Sequence, residues 1–560
     1  MREGEDIGRP LVVIVGAGPA GLGAAIELGS RQIPCLVLER NARAGHAPRA
    51  KTTHVRTREH LRRWGIADEL AKAAPFGVDY PSHVHFVTRL GGPGIARFDH
   101  ALSCSPARDE RYSEHGQWIP QYKLEAVMRA HAATLPDVTL AFGQEYLGFE
   151  QDADGVRLRI RDVARGEERA ITADYLIGAD GARSSVREHM GATMQGTHGL
   201  SRNYNTIFRA PGLAQAHGHG PGIMFWQLNS EVPSLIGPMD DDDRWFFMPT
   251  LVGKDVTYSQ DEVRDLIRRS TGIDMDYEIL SSDEWIASRL LADRYRQGRV
   301  FLTGDACHLH PPYGGFGMNM GIADSVDLGW KIAAVLQGWG GPALLDSYEA
   351  ERRPAHDFVL DEAEANHALS PNRLSKPGLE DMTPEGEAAR TELADYIRTA
   401  KHGEFYALGV VLGICYEHSP VIVPDGSDAH WTRSHDYVPS AMPGCLAPHR
   451  WLADGRSLYD LFGPGFTLLA LGGGGGGGDG EDDDEDLARA EAEAAAQAVP
   501  LRVVRLDDPA LDGLYQARRA LIRPDQHVAW RGAAWPETGL LTHVTGRAPS
   551  PAHQHSANVA

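Results

Sequence analysis

Three short runs hold residues whose types and spacing could do chemistry. In the first, Gly16, Gly18 and Gly21 follow the apolar, β-branched stretch Leu11 to Val15 as Gly-x-Gly-x-x-Gly. Gly16 allows a tight turn, Gly18 lets a pyrophosphate approach the backbone, and Gly21 lets a helix pack closely on a strand. Ala20 to Leu28 reads as that helix, and its free N–H groups and positive dipole end favour phosphate. Cys35 to Leu38 reads as a second strand. Glu39 ends it about 20 residues past the glycines, with Arg40 beside it, where a carboxylate can accept from ribose hydroxyls. The pattern describes a dinucleotide cradle and leaves NAD and FAD both open.

The second run is DYLIGADGARSSVR, residues 174 to 187, with Asp180-Gly181 at a strand end. Its carboxylate suits a pyrophosphate neighbourhood or the cap of a helix beginning SSVREH. The third run is RVFLTGDACHLHPPYGGFGMNMG, residues 299 to 321. Asp305 ends a strand there, and ligands of open α/β sheets bind at the carboxyl ends of strands. A carboxylate at that place can hold a sugar-like hydroxyl. His308 and His310 form an HxH, read as loop histidines rather than as metal ligands because no carboxylate or third histidine stands at metal spacing. No metal is expected.

These residues need elements to position them. A long helix is predicted after the third run, with Ile322, Val326, Gly329, Ile332 and Leu336 as its apolar or small stripe. Gly317, Met318 and Asn319 stand at its start. IPQYKLEAVMRAHA reads as an amphipathic helix opened by Gln121, with Leu124, Val127, Met128 and His131 on one face. Residues 151 to 177 alternate as an antiparallel ribbon, and residues 203 to 250 read as two or three strands. Beyond a helical stretch from about 381 to 415, FTLLAL, an alanine-rich helix and LRVVRL read as a βαβ unit. LYQARRALIRPDQHVAWRG is predicted to add one helix and one strand. The run GGGGGGGDGEDDDEDL lacks the Gly-Lys-Ser/Thr of a P-loop and reads as a mobile, solvated loop over 472–486.

Composition narrows the classes. The 560 residues carry a net charge of −22, which disfavours nucleic acid and anionic membranes as partners. The uncharged run at Leu11 to Ile26 is shorter than the ~20 residues a bilayer span needs, and the N-terminus lacks a signal-peptide pattern. Five scattered cysteines fit a reducing compartment, so a cytoplasmic protein is expected.

The three runs, in this order and at these separations, resemble the single-component FAD-dependent aromatic hydroxylases over roughly residues 10 to 380. The resemblance implies an α/β fold, with a Rossmann-like FAD-binding domain over 1–380 and an interleaved antiparallel substrate sheet at about 78–110 and 190–290. A linker over 381–420 and a thioredoxin-like C-terminal domain over 421–560 complete it. There Cys445 stands without a CxxC, which points to a structural or dimer-supporting role; a homodimer or higher homo-oligomer is expected.

The resemblance also assigns roles. Asp305 binds the FAD ribityl chain, and Asp180 and Gly181 lie near the pyrophosphate. In PRAKTTHVRTREHLRRWG, an arginine lies against FAD, Arg49 as the better match and Arg56 as the second, and Gln121 contacts the ribityl and ring region. Gly317, Met318 and Asn319 face the flavin ring. Met224, Trp226, Phe247 and Pro312 are candidates for an apolar substrate pocket. The implied reaction is NAD(P)H-driven hydroxylation of a phenolic, polyketide-like or hydroxypyridine substrate by O2 through a C4a-hydroperoxyflavin. NADH and NADPH both remain open as cosubstrate. His310, Tyr313 and Pro312 are the catalytic candidates beside the flavin loop. Baeyer–Villiger ring insertion, an FAD-dependent reductase and a non-catalytic flavoprotein that sequesters an aromatic ligand are the alternatives.

Overall fold

A computed structural model describes residues 10–41, 50–250, 256–472 and 480–548. A six-stranded sheet forms its base, in the order Arg296–Gln297, Val300–Leu302, Tyr175–Gly178, Val12–Val15, Cys35–Glu39, Val138–Phe142. Every neighbour pair is parallel except the first. Strands covered on both faces need unbroken apolar runs, and VVIV, YLIG and VFL are buried at every position. Five helices matter for the site: α1 (Pro19–Gly29), α2 (Val55–Arg63), α3 (Gln121–Ala132), α4 (Phe316–Leu336) and α5 (Pro342–His367). Helices α1 and α4 touch closely because the contact is made by small residues. A Cβ on Gly23 would lie 3.3 Å from Ser325 Cβ, and the Ser325 hydroxyl donates to the Ala20 carbonyl at 2.7 Å.

An eight-stranded sheet covers the carboxyl ends of that base. Its order is His308–Leu309, Glu278–Ala292, Met194–Arg209, Arg244–Pro249, Ser234–Pro238, Met224–Gln227, Val84–Val87, Gly94–Phe98. Only the pairing of Met224–Gln227 with Val84–Val87 is parallel. One face packs on helix Gln260–Thr271 through Phe225, Trp245, Phe247 and Ile267. The other carries Phe86, Trp226 and Phe246 and looks toward the base. The third sequence run straddles both sheets. Val300–Leu302 belongs to the base, while His308–Leu309 is an edge strand of the cover, with Leu309 opposite Leu290.

The C-terminal unit has the sheet order Leu501–Leu506, Phe466–Leu471, Arg519–Ile522, Val528–Gly532, with one parallel and two antiparallel pairings. With helix Gly480–Ala496 linking the parallel pair, this is a thioredoxin-like α/β arrangement. Two expectations change here. The stretch predicted as one helix and one strand holds a hairpin, Arg519–Ile522 with Val528–Gly532; Arg519 and Arg523 are buried polar anchors that a propensity reading takes for helix formers. The acidic run is helical from Gly480 onward, and Asp486 is buried against Arg519 and the Trp535 N–H rather than solvated. Residues 473–479 of the expected loop lie outside the described residues.

Cys445 has a neighbour from the linker. It faces Cys415 across an isolated antiparallel bridge, with the two Sγ atoms 2.8 Å apart and both thiols free. The unit docks on the base through a dry charge cluster. Arg523 reaches Glu351 at 2.7 and 2.9 Å, Asp327 at 3.0 Å and Asp525 at 2.5 Å; Lys331 donates to Asp327 at 2.8 Å and to Glu351 at 2.5 Å. No described helix is long and apolar enough to cross a membrane.

Candidate active site

The glycine turn is built as its spacing implies. Gly16 has φ +107°, and a Cβ there would lie 2.3 Å from the Ala179 carbonyl oxygen. A Cβ on Gly21 would lie 1.9 Å from the Gly16 oxygen, whereas one on Gly18 would meet nothing within 4 Å. Two glycines therefore lock the turn, and the third leaves an open backbone edge at the start of α1. Glu39 is tied to that turn: its carboxylate accepts from the Ala17 N–H at 3.1 Å and from the Asn41 N–H at 2.9 Å. Arg40 is exposed, and Arg49 lies outside the described residues. Gln121 accepts from the Ala50 N–H at 3.2 Å and donates to Glu125 at 2.8 Å, so it pins the segment that follows Arg49.

The other two motifs converge on this turn. Asp180 accepts from the Ser184 hydroxyl at 2.5 Å and from the Val186 N–H at 3.1 Å, so it caps the helix Ser185–His189. Burial raises its pKa and those hydrogen bonds partly oppose the rise. Gly181 next to it has φ +81° and open space where a Cβ would stand. Arg187, which spacing did not single out, donates to the Ala182 and Ala306 carbonyls at 3.0 Å each and ties the second motif to the third. A Cβ on Gly304 would lie 2.9 Å from Ala20 Cβ, so half-buried Asp305 stands against the first helix. Gly16, Asp180 and Asp305 thus lie at one end of one sheet, as a single extended nucleotide requires.

Behind Asp305 lies a polar hub that the sequence did not announce. Asp324 accepts from the Gly304 N–H at 3.1 Å, His308 Nε2 at 3.0 Å, Arg352 Nε at 2.7 Å and His356 Nε2 at 2.7 Å. Burial raises its pKa, but the charges of His356 and Arg352 and the bonds from His308 and His356 bring it well below the ordinary carboxylate value. Helix α5 supplies His356 as the third imidazole, separated from the HxH by 46 residues and therefore invisible to spacing; His310 Nε2 sits 3.4 Å from His356 Nδ1. Burial and its two histidine neighbours push the pKa of His310 far down. His310 thus stands half-buried beside the hub, in contact with His356.

The start of α4 is set by the turn Pro312 to Gly315, where the Gly315 N–H donates to the Pro312 carbonyl at 3.2 Å and φ is +69° at Gly315. Gly317 and Met318 are half-buried in the first helical turn. The Asn319 side chain is committed to protein: it accepts from the His54 N–H at 2.9 Å and the Thr57 hydroxyl at 2.7 Å, and donates to the Thr52 and Gly315 carbonyls at 3.0 and 2.8 Å. Its side chain positions the helix rather than meeting a ligand. Tyr313 is buried against Trp226 and His367, with ring centroids 5.7 and 5.4 Å away. Burial and nearby Glu404 raise its pKa.

The cover sheet corrects the pocket. Side chains alternate across a strand, so Phe246, not Phe247, faces the base; Phe247 packs on the far face. Phe246 lies over Gly237 on the next strand, where a Cβ would come within 2.6 Å of its ring. Trp226 is fully buried, stacked on Phe86 at 5.0 Å, and acts as core. Met224 remains half-buried on the near face, and its sulfur accepts from the Trp226 N–H at 3.2 Å. Trp118, Tyr122 and Met248 join it as half-buried wall residues. A cavity of about 50 Å³ lies on the opposite flank of α4, against Tyr416 and His527.

Comparison with known proteins agrees with this geometry. Residues 10–363 match the family described as FAD binding domain, and residues 440–548 match the aromatic-ring hydroxylase C-terminal family. The chain belongs to the FAD-dependent aromatic-ring hydroxylases; it is an FAD-dependent monooxygenase, and NAD(P)H is the family's usual cosubstrate. It is 32% identical to the tetracenomycin B2 monooxygenase-dioxygenase of Streptomyces olivaceus over 96% of this chain and 98% of that one. It is 33% identical to the 4-methyl-5-nitrocatechol 5-monooxygenase of a Burkholderia species, covering 94% and 96%. Among solved structures, RebC with bound 7-carboxy-K252c superposes with a TM-score of 0.88 at 34% identity, covering 96% and 99%. The flavin-dependent monooxygenase PieE with FAD and substrate gives 0.86 at 31%, covering 97% and 99%.

Proposed function

We propose that this enzyme hydroxylates a phenolic aromatic of the fused-ring, polyketide-like type. The observation that carries the reading is a half-buried apolar wall: Met224 and Met248 on the near face of the cover sheet, with Trp118 and Tyr122 packed against that face. Relatives that act on tetracenomycin and aklavinone skeletons support the same size class. The open edge at Gly18 and the α1 N-terminus would receive the pyrophosphate, Glu39 the adenosine ribose, and Asp305 the ribityl hydroxyls. Bound FAD supplies hydride acceptance from NAD(P)H and activation of O2 for transfer to the ring. The protein's share is orientation and exclusion of water. Rigid Pro312–Gly315 sets the first turn of α4, whose free N–H groups favour negative charge in front of them.

The test is NADH and NADPH oxidation with fused-ring phenols, simple phenols and hydroxypyridines, followed by product analysis under isotopically labelled O2. One labelled oxygen on an intact ring is expected. Anaerobic turnover without label would replace the reading with a reductase, a ring-opened lactone with Baeyer–Villiger insertion, and ligand binding without NAD(P)H consumption with a sequestering protein. Preference for a simple phenol or a hydroxypyridine would overturn the size class.

A further inference from the structure

Lys51 has no anion. Its ammonium lies 4.2 Å from the centroid of Phe246, on the near face of the cover sheet, and no carboxylate accepts from it. The backbone around it is fixed: the Ile119 N–H donates to the Lys51 carbonyl at 2.8 Å, and Thr52 pairs with Trp118 in a short antiparallel ladder. The Trp118 indole packs on the same Phe246 ring, with centroids 6.3 Å apart, and its buried N–H has no acceptor. Two hydrogen-bond donors thus share one aromatic floor, with no acceptor for either among the described residues. Charged groups on the packed elements already have partners: Asp240 takes Tyr122 and Arg244 at 3.1 and 3.2 Å, and Glu125 takes Gln121. Burial is the cause that lowers the Lys51 pKa to about 8.

We propose that Lys51, with the Trp118 N–H, receives the ionised oxygen of the aromatic substrate, so that the enzyme selects its substrate as the phenolate. This rests on the reading above and adds the ionisation state and the residue that reads it. Ionised oxygen makes the ring electron-rich, as transfer of an electrophilic oxygen requires. The phenol proton leaves to water when the anion binds. An ammonium over an aromatic face is already favourably placed, and an anion within hydrogen-bond reach adds a charge-assisted bond.

The experiment uses the FAD-loaded enzyme and two chromophoric phenols, 4-nitrophenol and 1,8-dihydroxyanthraquinone, each beside its methyl ether. Wild type is expected to bind the phenols with the absorption band of the anion at a pH where the free phenols are largely neutral. Lys51→Met should weaken that binding by roughly tenfold or more, as expected for loss of a charged hydrogen bond, and erase the anion band. Binding of the methyl ethers should not change. Affinity for the anion should fall as pH rises through about 8 in wild type, where Lys51 loses its proton. Lys51→Arg, which cannot lose its charge there, should keep the anion band and remove the alkaline fall.

Equal affinity of Lys51→Met and wild type for the anion would overturn the proposal. So would a shift of the bound FAD's reduction potential in Lys51→Met with phenolate affinity intact, since the cation would then serve the flavin. If wild type binds neither phenol and no aromatic stimulates NAD(P)H oxidation, the functional reading fails as well. Binding of the phenols as neutral species by wild type would overturn the proposal alone.

Discussion

The base of the molecule is joined on two sides, and its two joints treat charge in opposite ways. At the C-terminal joint, Arg523 and Lys331 face Glu351, Asp327 and Asp525, and each cation bonds at least two carboxylates. At the joint with the cover sheet, Lys51 faces an aromatic ring and no carboxylate among the described residues. Desolvation costs a cation in either place, in full for buried Arg523 and Lys331 and in part for half-buried Lys51. At the first joint, protein anions offset that cost in the resting fold. At the second, no carboxylate of the described residues does. The lesson is that a satisfied charge cluster marks assembly, whereas an unsatisfied one on an apolar wall marks a place for a ligand.

The comparison breaks most sharply at Arg523. Arg523→Met leaves three crowded carboxylates and should cost about 3–5 kcal/mol, the usual penalty for removing one partner of a buried pair. Thermal unfolding, with limited proteolysis of the linker, reads it; an unchanged Tm would mean the cluster contributes nothing to docking. Next comes Glu27, another fully partnered charge, bonded by Arg63, Arg31 and Trp64. Burial alone would raise its pKa, but the charges of Arg63 and Arg31 and the bonds from Arg63 and Trp64 lower it from 4.5 to about 2. The folded pKa is depressed, so this stabilisation is present in full above pH 4.5 and is lost as pH falls through about 2. Its size is on the order of 3 kcal/mol. Glu27→Gln should remove that part of the acid dependence in urea titrations between neutral pH and pH 3.

The smallest effect, and the one of opposite sign, belongs to Lys51. Lys51→Met should leave the Tm of the ligand-free enzyme unchanged or slightly raised at neutral pH. In wild type, the folded protein gives up this proton more readily than the unfolded chain, so stability gains with pH between about 8 and 10.5; the substitution should flatten that gain. A clear loss of stability in Lys51→Met at neutral pH would erase the contrast between the joints.

How much of this was legible in the sequence follows from the range of each interaction. The glycine turn, Glu39, Asp180 and Asp305 were readable because each sits a fixed number of residues from a strand end, and local geometry does the rest. Phe247 was misread for Phe246 because composition marks a strand as aromatic but does not set the parity of its faces. That parity comes from the pairing of Phe246 with Gly237, nine residues away along the chain. His356 and Arg352 were invisible because they reach Asp324 from another helix. His310 and Tyr313 stand where the loop spacing puts them, but their neighbours, His356 for one and Trp226 and His367 for the other, come from other elements. Lys51 stood inside a quoted motif beside Arg49, but nothing in a sequence tells a lysine with a carboxylate from one without.

The strand that carries Asp305 also has a consequence for assembly. Within seven residues the chain leaves the base at Leu302 and enters the cover at Leu309. The nucleotide and the roof over the reaction space are therefore harnessed to one short tether. Loading the cradle should tighten the roof, and prying up the roof should loosen the cradle's grip, without any separate messenger between them.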